Sequence, residues 1–312
     1  MDVSSAGERP ETGTTVTQAV EAAFSEAAAG VSELERLYIT SLTDRVRRGE
    51  LCLISLYYGG EVAGAACYRS VDGEAEIVFG FLRPPYRGIE HVFLETVVDV
   101  LAKSGVAVIR TGFTWPDAGP VIAAAARMGF STVHRISMVK EVEERDMFSY
   151  VPTPGIQVLP WSPWYFEDAC RIMYEESEPA DRVLYPLFGS PEGARRLLLS
   201  IVQGRHGTFM PGLSAVCQAG GTSVGFLLCA LLPDGSVLVL DIAVSKDHRR
   251  AGAGTKMLEY LTGKCAALGN RQIVLAVTAG NEAAIRLYKK AGFRDVAAFD
   301  QYVLAINRQE NN

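Results

Sequence analysis

The sequence has no excess of positive charge. It contains 30 Lys and Arg residues against 36 Asp and Glu residues, which gives a formal net charge of −6 at pH 7. Non-specific binding to nucleic acid depends on many Lys and Arg side chains that face the phosphates. The composition therefore predicts that nucleic acid is not a partner.

Histidines and paired cysteines are also scarce. The four histidines are scattered without metal-ligand spacing, so we expect no metal. The sequence has no Cys-x-x-Cys pair, and most of its six cysteines lie in apolar runs. This pattern indicates buried, free thiols in a reducing cytoplasm. The cysteines are Cys52, Cys67, Cys170, Cys217, Cys229 and Cys265.

No apolar run is long enough to span a bilayer, because charged residues and glycines interrupt each one. We therefore expect no membrane partner. Residues 1–15 are polar and lack the pattern of a signal peptide, so we predict a disordered tail there. Together with the cysteines, this predicts a cytoplasmic protein.

What the chain does have is apolar content of 48% in 312 residues, enough for one large domain or two ordinary ones. Apolar periodicity predicts two helices within residues 16–49, separated at Gly30, and then strands at 51–58, 61–68 and 74–82 with turns at Gly59-Gly60 and Asp72-Gly73. Each half contains several such strands with helices between them. The order of elements in the first half recurs in the second, which indicates an internal repeat.

Two short alignments support the repeat. Met128-Gly129-Phe130 matches Ala291-Gly292-Phe293 at an offset of 163 residues, and Tyr86-Arg87 matches His248-Arg249 at an offset of 162. We therefore predict a tandem duplication. Its predicted parts are a tail at 1–15, domains at 16–145 and 156–312, and a linker at 146–155.

A glycine-bearing loop follows the apolar run 237–244 and precedes a helical pattern. Backbone N–H groups at the start of a helix have no intrahelical partner, and the helix dipole favours an anion there. Gly252 and Gly254 would let the backbone approach such an anion closely. We therefore predict a pyrophosphate cradle, formed by Arg249, Arg250, Ala251, Gly252, Ala253, Gly254 and Thr255.

Three motifs occur in order: Asp-Ile-Ala-Val from Asp241, Arg-x-x-Gly-x-Gly from Arg249, and Asn-x-x-Ala-x-x-Leu-Tyr-x-x-x-Gly-Phe from Asn281. This succession resembles the GCN5-related N-acetyltransferase (GNAT) superfamily over about residues 156–306. The resemblance implies an α+β fold of two tandem GNAT-like domains, each a mixed, mostly antiparallel sheet flanked by helices. It also implies acetyl-CoA as acyl donor, bound between strands 237–244 and 272–277, and an amine as acceptor.

The resemblance implies roles for individual residues. Tyr288 would lie near the CoA sulfur as the acid that protonates the departing thiolate. Asp241, the only acid on the strand before the cradle, is a candidate base, although a satisfied polar residue at a strand edge is an alternative. Asn281 would contact the CoA arm or cap the following helix. The strand residues Ile242, Ala243 and Val244 would bind the donor, with an oxyanion-binding N–H near Ile242 or Val244.

The first half departs from these motifs. At the repeat offset Glu90 takes the place of Gly252, and a carboxylate repels a phosphate. Asn281 corresponds to Ala118, and Tyr288 to Ala125. We therefore predict a degenerate half that does not bind CoA. One residue points the other way, because Glu76 resembles the base of histone-type family members, although it is also explained as a solvent-facing strand residue.

The acceptor is open at this stage. Aromatic residues in the segment that would cover the cleft indicate an apolar wall: Trp161, Trp164, Tyr174, Tyr185 and Phe188. The acidic residues Glu175, Glu176, Glu178 and Asp181 would bind a cationic amine or form a solvated face. We expect a small amine as partner, with a peptide acceptor or a non-catalytic CoA-binding regulator as alternatives, and a homodimer is left open.

Overall fold

The protein is described from a computed structural model that covers residues 11–29, 31–71, 73–113 and 118–306. The chain forms two compact units. Unit 1 holds the described residues up to Thr132 together with those from Gln301 onwards, and unit 2 is Val133–Asp300. The predicted turn residues Gly30 and Asp72 lie outside the described residues, as do residues 1–10 of the predicted tail.

Unit 1 is built on a mostly antiparallel sheet that contains one parallel pair of strands. Its described strands follow the order β1-β2-β3-β4-β5, and residues from Tyr302 onwards of the last strand of the chain pair with β5. Only β4 and β5 run parallel among these pairs. The elements are β1 Glu11–Gly13, α1 Gln18–Ala27, α2 Glu33–Arg47, β2 Cys52–Tyr58, β3 Glu61–Val71, β4 Glu74–Leu82, α3 Glu90–Lys103, β5 Val108–Thr111 and α4 Gly119–Arg127.

Unit 2 repeats this plan with helices on both faces of its sheet. The sheet order is β13-β6-β12-β11-β10-β9-β7, with β8 beside β10. The elements are β6 Ser131–Glu141, β7 Gln157–Pro160, α5 Phe166–Glu176, α6 Pro179–Leu184, α7 Pro191–Val202, β8 Thr208–Phe209, β9 Ala215–Ala219, β10 Thr222–Leu231, β11 Val237–Val244, α8 Ala253–Leu268, β12 Gln272–Thr278, α9 Glu282–Lys290 and β13 Arg294–Ala305.

The two faces of the unit 2 sheet bury separate apolar clusters. On one face α8 packs through Met257, Leu258 and Leu261 onto the sheet. On the other face, α5 and α7 pack onto Phe226 and Leu228 of β10. Burial of these side chains at about 25 cal/mol per Å² is what holds the helices against the sheet. The mixed, mostly antiparallel sheet predicted from the sequence is confirmed.

The repeat is visible in the detail of one strand pair. In unit 1, β3 and β4 pair with an irregularity that leaves Val78 without an opposite residue, and in unit 2 the pairing of β10 with β11 leaves out Leu240. Gly64 and Gly225 occupy matching places, where an added Cβ would collide with the carbonyl oxygen of Phe81 or Ala243. A bulge turns the strand beyond it, so the same bend is built into both units.

The compact units do not follow the predicted boundaries. β6, which belongs to the first half of the sequence, pairs with β12 along its length from Gln272↔Glu141 to Thr278↔Arg135. The predicted linker at 146–155 therefore lies inside unit 2. Glu11–Gly13 of the predicted tail form a strand on β2. Backbone hydrogen-bonding groups along a strand edge need a partner. The sequence predicts a strand at 133–142, but neither its pairing with β12 nor the strand at Glu11–Gly13 was foreseen.

Candidate active site

The parallel strands β11 and β12 diverge after a short contact. They pair only at Val237↔Ile273 and Leu238↔Val274, so the rest of each strand has no partner on that side. The bulge at Leu240 stands at the point of separation. The opening predicted between strands 237–244 and 272–277 is therefore present, and it exposes unpaired backbone groups to whatever enters it.

The opening leads into a cavity of about 740 Å³ within unit 2. All the predicted site residues except Ala251 line it. Its wall also includes residues of α5 and α6 and Phe188. One side of the cavity is therefore formed by a segment that precedes β10, β11 and β12 in the sequence. A cavity of this size suits a small organic molecule or the reactive end of a larger one.

The helix α8 begins at this cavity without a side-chain cap. Gly252 at the N-cap has φ = 95°, and the first hydrogen bond of the helix runs from the Lys256 N–H to the Gly252 carbonyl oxygen at 2.9 Å. The N–H groups of Ala253, Gly254 and Thr255 therefore lack intrahelical acceptors. A Cβ at Gly252 would meet nothing within 4 Å, so the space beside these donors is open to an anion.

The two glycines of the loop have different reasons to be there. A Cβ at Gly254 would lie 2.9 Å from Cδ2 of Leu287, so this glycine allows α8 to pack closely on α9. Close approach to an anion was the predicted reason for both glycines. Only Gly252 has open space beside it for such an approach, and its left-handed backbone also favours glycine.

The two arginines of the loop also differ. Arg249 donates from Nη2 to Glu176 at 2.8 Å and from Nε to the Val244 carbonyl oxygen at 3.0 Å, and Glu178 lies 3.5 Å from its Nη1. Its charge is thus already met by two carboxylates. Arg250 is exposed and has a left-handed backbone with φ = 64°, and no ion pair forms there among the described residues.

Asp241 lies directly after the bulge and faces the cavity. Burial, and next the nearby Asp181 carboxylate, raise the pKa of Asp241 to about 7, against a smaller opposing effect of the Ile242 N–H. A carboxyl group with a pKa near neutrality is well matched to accepting a proton. Burial also raises the pKa of Asp181, which accepts a hydrogen bond from Thr278 Oγ1 at 3.0 Å.

Tyr288 is 7% exposed and lines the same cavity from α9. Burial, with the Asp241 and Asp181 charges, raises the pKa of its phenol. The phenol therefore stays protonated at neutral pH and can donate a hydrogen bond. Its hydroxyl makes no hydrogen bond to another of the described residues, so this donor is available to a ligand in the cavity.

Strand β11 offers a second donor. The Ser245 N–H donates to the Val224 carbonyl oxygen of β10 at 2.8 Å. Because backbone groups alternate sides along a strand, the N–H groups of Ile242 and Val244 point the opposite way, towards the gap beside β12. The Ile242 N–H also interacts with the Asp241 carboxylate, which leaves Val244 as the less engaged donor.

Asn281 caps the helix that carries Tyr288. Its Oδ1 accepts a hydrogen bond from the Ala284 N–H at 3.1 Å, which satisfies one of the orphan donors of α9. This is one of the two roles expected from the sequence. The side chain also lines the cavity, so its amide nitrogen remains at the surface that a ligand would contact.

Residues 171–293 match the family model described as "Acetyltransferase (GNAT) family". The match lies within unit 2, and in this part the chain is similar to the GNAT family. Over 91 residues it is 31% identical to the [Ribosomal protein bS18]-alanine N-acetyltransferase of Escherichia coli K12. That alignment covers 29% of this chain and 61% of the relative, so the chain spans less than two thirds of the length of the curated relatives it matches.

Two solved structures show that the GNAT fold extends over both halves. A GCN5-related N-acetyltransferase from Sphaerobacter thermophilus superposes with a TM-score of 0.57 at 17% identity, covering 95% of this chain and 96% of that one. A tandem GNAT protein from the clavulanic acid biosynthesis pathway gives a TM-score of 0.52 at 15% identity, covering 96% and 100%. The predicted tandem GNAT-like fold is therefore confirmed.

The predicted acceptor residues, which lie in the segment that covers the cavity, have different surroundings. Of the five aromatic residues, Tyr185 and Phe188 line the cavity, whereas Trp164 is 91% exposed. Of the acidic residues, Glu176 is tied to Arg249, and Glu175 pairs with Arg171 on the surface. Of these four acidic residues, Asp181 is the one whose carboxylate has no cation of the described residues within 4.0 Å.

One cavity residue escaped the sequence analysis altogether. Arg135 lies on β6, is 8% exposed and lines the cavity, where its Nη2 donates to the Ala276 carbonyl oxygen at 2.7 Å. It was missed because it precedes every family motif by about a hundred residues. The usable signal was an arginine on the strand face that, by alternation, also carries the apolar residues Val133 and Val139.

Three negative observations complete the description. Across the ranges covered by the structure, no group of three metal-ligating side chains lies close enough together to hold a metal ion. Nor does any helix there have the length and apolar character needed to cross a membrane. All six cysteines are free thiols, and five are buried.

Proposed function

We propose that the protein is an N-acetyltransferase that moves an acetyl group from acetyl-CoA to a primary amine of a small molecule. The observation that carries the proposal is one cavity in which a carboxyl with a pKa near 7, a buried phenol and an uncapped helix N terminus meet. This set matches the needs of acyl transfer to an amine, namely a base, an acid and a place for the donor's phosphates.

The donor would occupy the gap between β11 and β12. The free N–H groups of Ala253, Gly254 and Thr255 fit the pyrophosphate, and Arg250 adds positive charge at the rim. The unpaired edge of β11 fits the amide groups of the pantetheine arm, in the manner of an added strand. Arg249 then acts through its ion pairs, which fasten the loop to the end of α5.

The chemical step follows from the residues around the bulge. Asp241 accepts a proton from the attacking amine as its nitrogen bonds to the thioester carbonyl carbon. The Val244 N–H stabilises the oxygen of that carbonyl as it becomes negative. The C–S bond then breaks as the Tyr288 proton passes to the departing sulfur, and the phenolate regains a proton from solvent while Asp241 releases the one it accepted. The products are an acetamide and the CoA thiol.

The raised pKa of Tyr288 has two consequences for this step. It keeps the phenol protonated, so the donor is present throughout the neutral pH range. It also makes the phenol a weaker acid than a free tyrosine, which has a pKa of about 10. We therefore assign Tyr288 two successive tasks: it holds the sulfur by a hydrogen bond, and it gives up its proton only once the C–S bond breaks.

The test measures free CoA thiol released from acetyl-CoA against a panel of small primary amines. Amine-dependent release is expected with the native protein and should disappear in Asp241→Asn, while calorimetry shows that acetyl-CoA still binds. Binding of acetyl-CoA without release for any amine or peptide would instead identify a non-catalytic CoA-binding regulator. The Asp241 carboxyl, with its pKa of about 7, argues against that alternative.

A second candidate is transfer to the N terminus of a protein. It is favoured by the 31% identity over 91 residues to the bS18-alanine N-acetyltransferase. Peptides that begin with alanine, offered beside small amines at equal concentration, separate the two. A higher kcat/KM for the peptides would decide for a protein acceptor. Cytoplasmic location and a homodimer stay predictions.

A further inference from the structure

Arg135 is a buried cation with no counter-ion in contact among the described residues. Its side chain is 8% exposed, and its one hydrogen bond among the described residues goes to the Ala276 carbonyl oxygen. Its Nε is buried with no partner, and no carboxylate oxygen of the described residues lies within 4.0 Å of the guanidinium. Arginine does not lose its charge in proteins, so this cation is stabilised poorly by the protein alone.

Asp181 is the nearest candidate for a counter-ion, and it does not fill that role by contact. Its carboxylate accepts a hydrogen bond from Thr278 instead. Arg135 acts on it only through space, and burial still raises the pKa of Asp181. The cavity is therefore lined by the Arg135 guanidinium and by the carboxyl groups of Asp181 and Asp241, and neither carboxyl group forms an ion pair with the guanidinium.

Arg135 lies at the reactive end of the cavity. It influences the titration of both Asp181 and Tyr288. It is also hydrogen-bonded to β12, whereas the open N–H donors belong to α8. An anion at Arg135 would thus belong to the acceptor and not to the phosphates of the donor.

Resting on the proposed function, we propose that the acceptor carries a carboxylate beside its amine, as an amino acid does, and that Arg135 binds this carboxylate. The amine then faces Asp241 and the carboxylate faces the guanidinium, whose planar fork matches it. Tyr185 and Phe188 provide an apolar wall for the rest of the molecule. One guanidinium beside two carboxyl groups favours a monoanion over a phosphate dianion.

The first test measures binding without turnover. In the presence of CoA, N-acetyl-L-phenylalanine, N-acetyl-L-leucine and N-acetyl-L-alanine are each titrated beside the corresponding amide. At least one carboxylate is expected to bind about 10- to 100-fold more tightly than its amide, the range for a hydrogen bond to a charged group. If every carboxylate binds no better than its amide, the proposal is wrong.

Variants assign the preference to one side chain. Arg135→Met should remove it, and Arg135→Lys should keep part of it because the charge remains while the fork is lost. Arg195→Met on the surface of unit 2 is the matched control and should leave it unchanged. Acetyl-CoA affinity checks that the Arg135 variants are folded. A preference that survives in Arg135→Met would overturn the assignment.

The proposal and the function it rests on can fail separately. Turnover is compared between L-phenylalanine and phenethylamine, which differ only by the carboxylate, and between L-leucine and 3-methylbutylamine. A higher kcat/KM for the amino acids that disappears in Arg135→Met supports both ideas. A carboxylate preference in binding without turnover for any amine would retain the anion site and reject the acetyltransferase. Faster turnover of the amines that lack a carboxylate would do the reverse.

Discussion

The two units bend the same strand in the same way and then place opposite chemistry after the bend. In unit 2 the residue after the bulge is Asp241, which faces the cavity. In unit 1 the matching residue is Phe79, which is 2% exposed and packs with Phe24 and Phe81. In unit 1 this position is occupied by a core side chain, and in unit 2 it is occupied by a carboxyl group.

The loops before α3 and α8 show the same contrast. Gly88 and Arg250 occupy matching positions, and both have a left-handed backbone. Two residues later, unit 1 has Glu90, whose Oε1 accepts a hydrogen bond from the Gly88 N–H at 2.9 Å. Unit 2 has Gly252 there, with open space beside it. A carboxylate thus already occupies the loop in unit 1, and an anionic ligand would meet repulsion.

The comparison shows that both units keep the same backbone shape here while the side chains at the opening differ. The bulge, the close-packed glycine and the left-handed loop residue are all retained in unit 1, because they serve the packing of the strands and the following helix. What distinguishes the units is a small set of side chains in the opening. The predictions below exchange or remove those side chains.

The largest effect is expected from giving unit 2 the residue that unit 1 has. Gly252→Glu should weaken acetyl-CoA binding by more than about 100-fold, because it places a carboxylate beside the N–H donors. Gly252→Ala is the control for backbone strain. It places a Cβ on a left-handed backbone, which costs about 1–2 kcal/mol, but it adds no charge. Calorimetry with both variants decides. Equal losses in the two would remove the anion cradle.

Asp241→Asn should lower kcat by about 10²-fold or more while acetyl-CoA affinity is kept, as expected for loss of a general base. In the native protein kcat/KM should rise as the pH passes about 7 and the carboxyl loses its proton. In Asp241→Asn this rise of kcat/KM with pH should be absent. If the rise persists in the variant, another group is the base.

The same substitution should change stability in a pH-dependent manner. The folded state raises the pKa of Asp241 to about 7, so folding holds this proton more tightly than the unfolded chain does. The free energy of unfolding therefore falls as the pH rises from about 4 to about 7. At pH 8 we expect Asp241→Asn to be more stable than the native protein by on the order of 4 kcal/mol. Denaturant titrations at pH 4.5 and 8 measure the difference.

Tyr288→Phe should have a smaller effect, about 10-fold on kcat, because the ring is kept and only the hydroxyl is lost. Tyr288 corresponds to Ala125 in unit 1, which lacks this donor. Tyr86→Phe in unit 1 is the control, and no change is expected there. Steady-state kinetics on both variants test the assignment, and unchanged turnover in Tyr288→Phe would withdraw it.

The smallest effect is expected from the converse exchange. Glu90→Gly removes the carboxylate from the unit 1 loop but supplies neither Asp241 nor Tyr288 there, so acetylation should change by less than about 2-fold. Calorimetric stoichiometry should remain one acetyl-CoA per chain. Two sites in the native protein would show that unit 1 binds the donor despite Glu90.

Sequence patterns predicted the local parts of this structure well. The two early helices, the hairpin strands β2 to β4, and the strand–loop–helix at β11 and α8 are confirmed, because each rests on short-range periodicity and turn residues. The opening beside β11 followed from the family resemblance and is present. Glu76, the competing candidate in unit 1, bonds to Arg69 on the neighbouring strand.

Long-range pairings were beyond the sequence. Nothing local in residues 131–141 reveals that β6 lies beside β12, so Arg135 could not be placed in the cavity. The ion pair of Arg249 with Glu176 joins residues 73 apart. The six-residue helix α6, which carries Asp181, is too short for its periodicity to stand out. These features arise from tertiary packing and hydrogen bonding, which a single sequence does not display.

The division of β13 has a consequence for synthesis on the ribosome. Residues Tyr302 to Ala305 pair with β5 and close the sheet of unit 1, although they are translated about 190 residues after it. A chain grows at about 5–20 residues per second, so the N-terminal unit must wait some ten seconds or more after β5 has been translated for its final strand. The unit that begins first therefore cannot finish first, and a nascent chain stalled before residue 302 would present an open strand edge to chaperones.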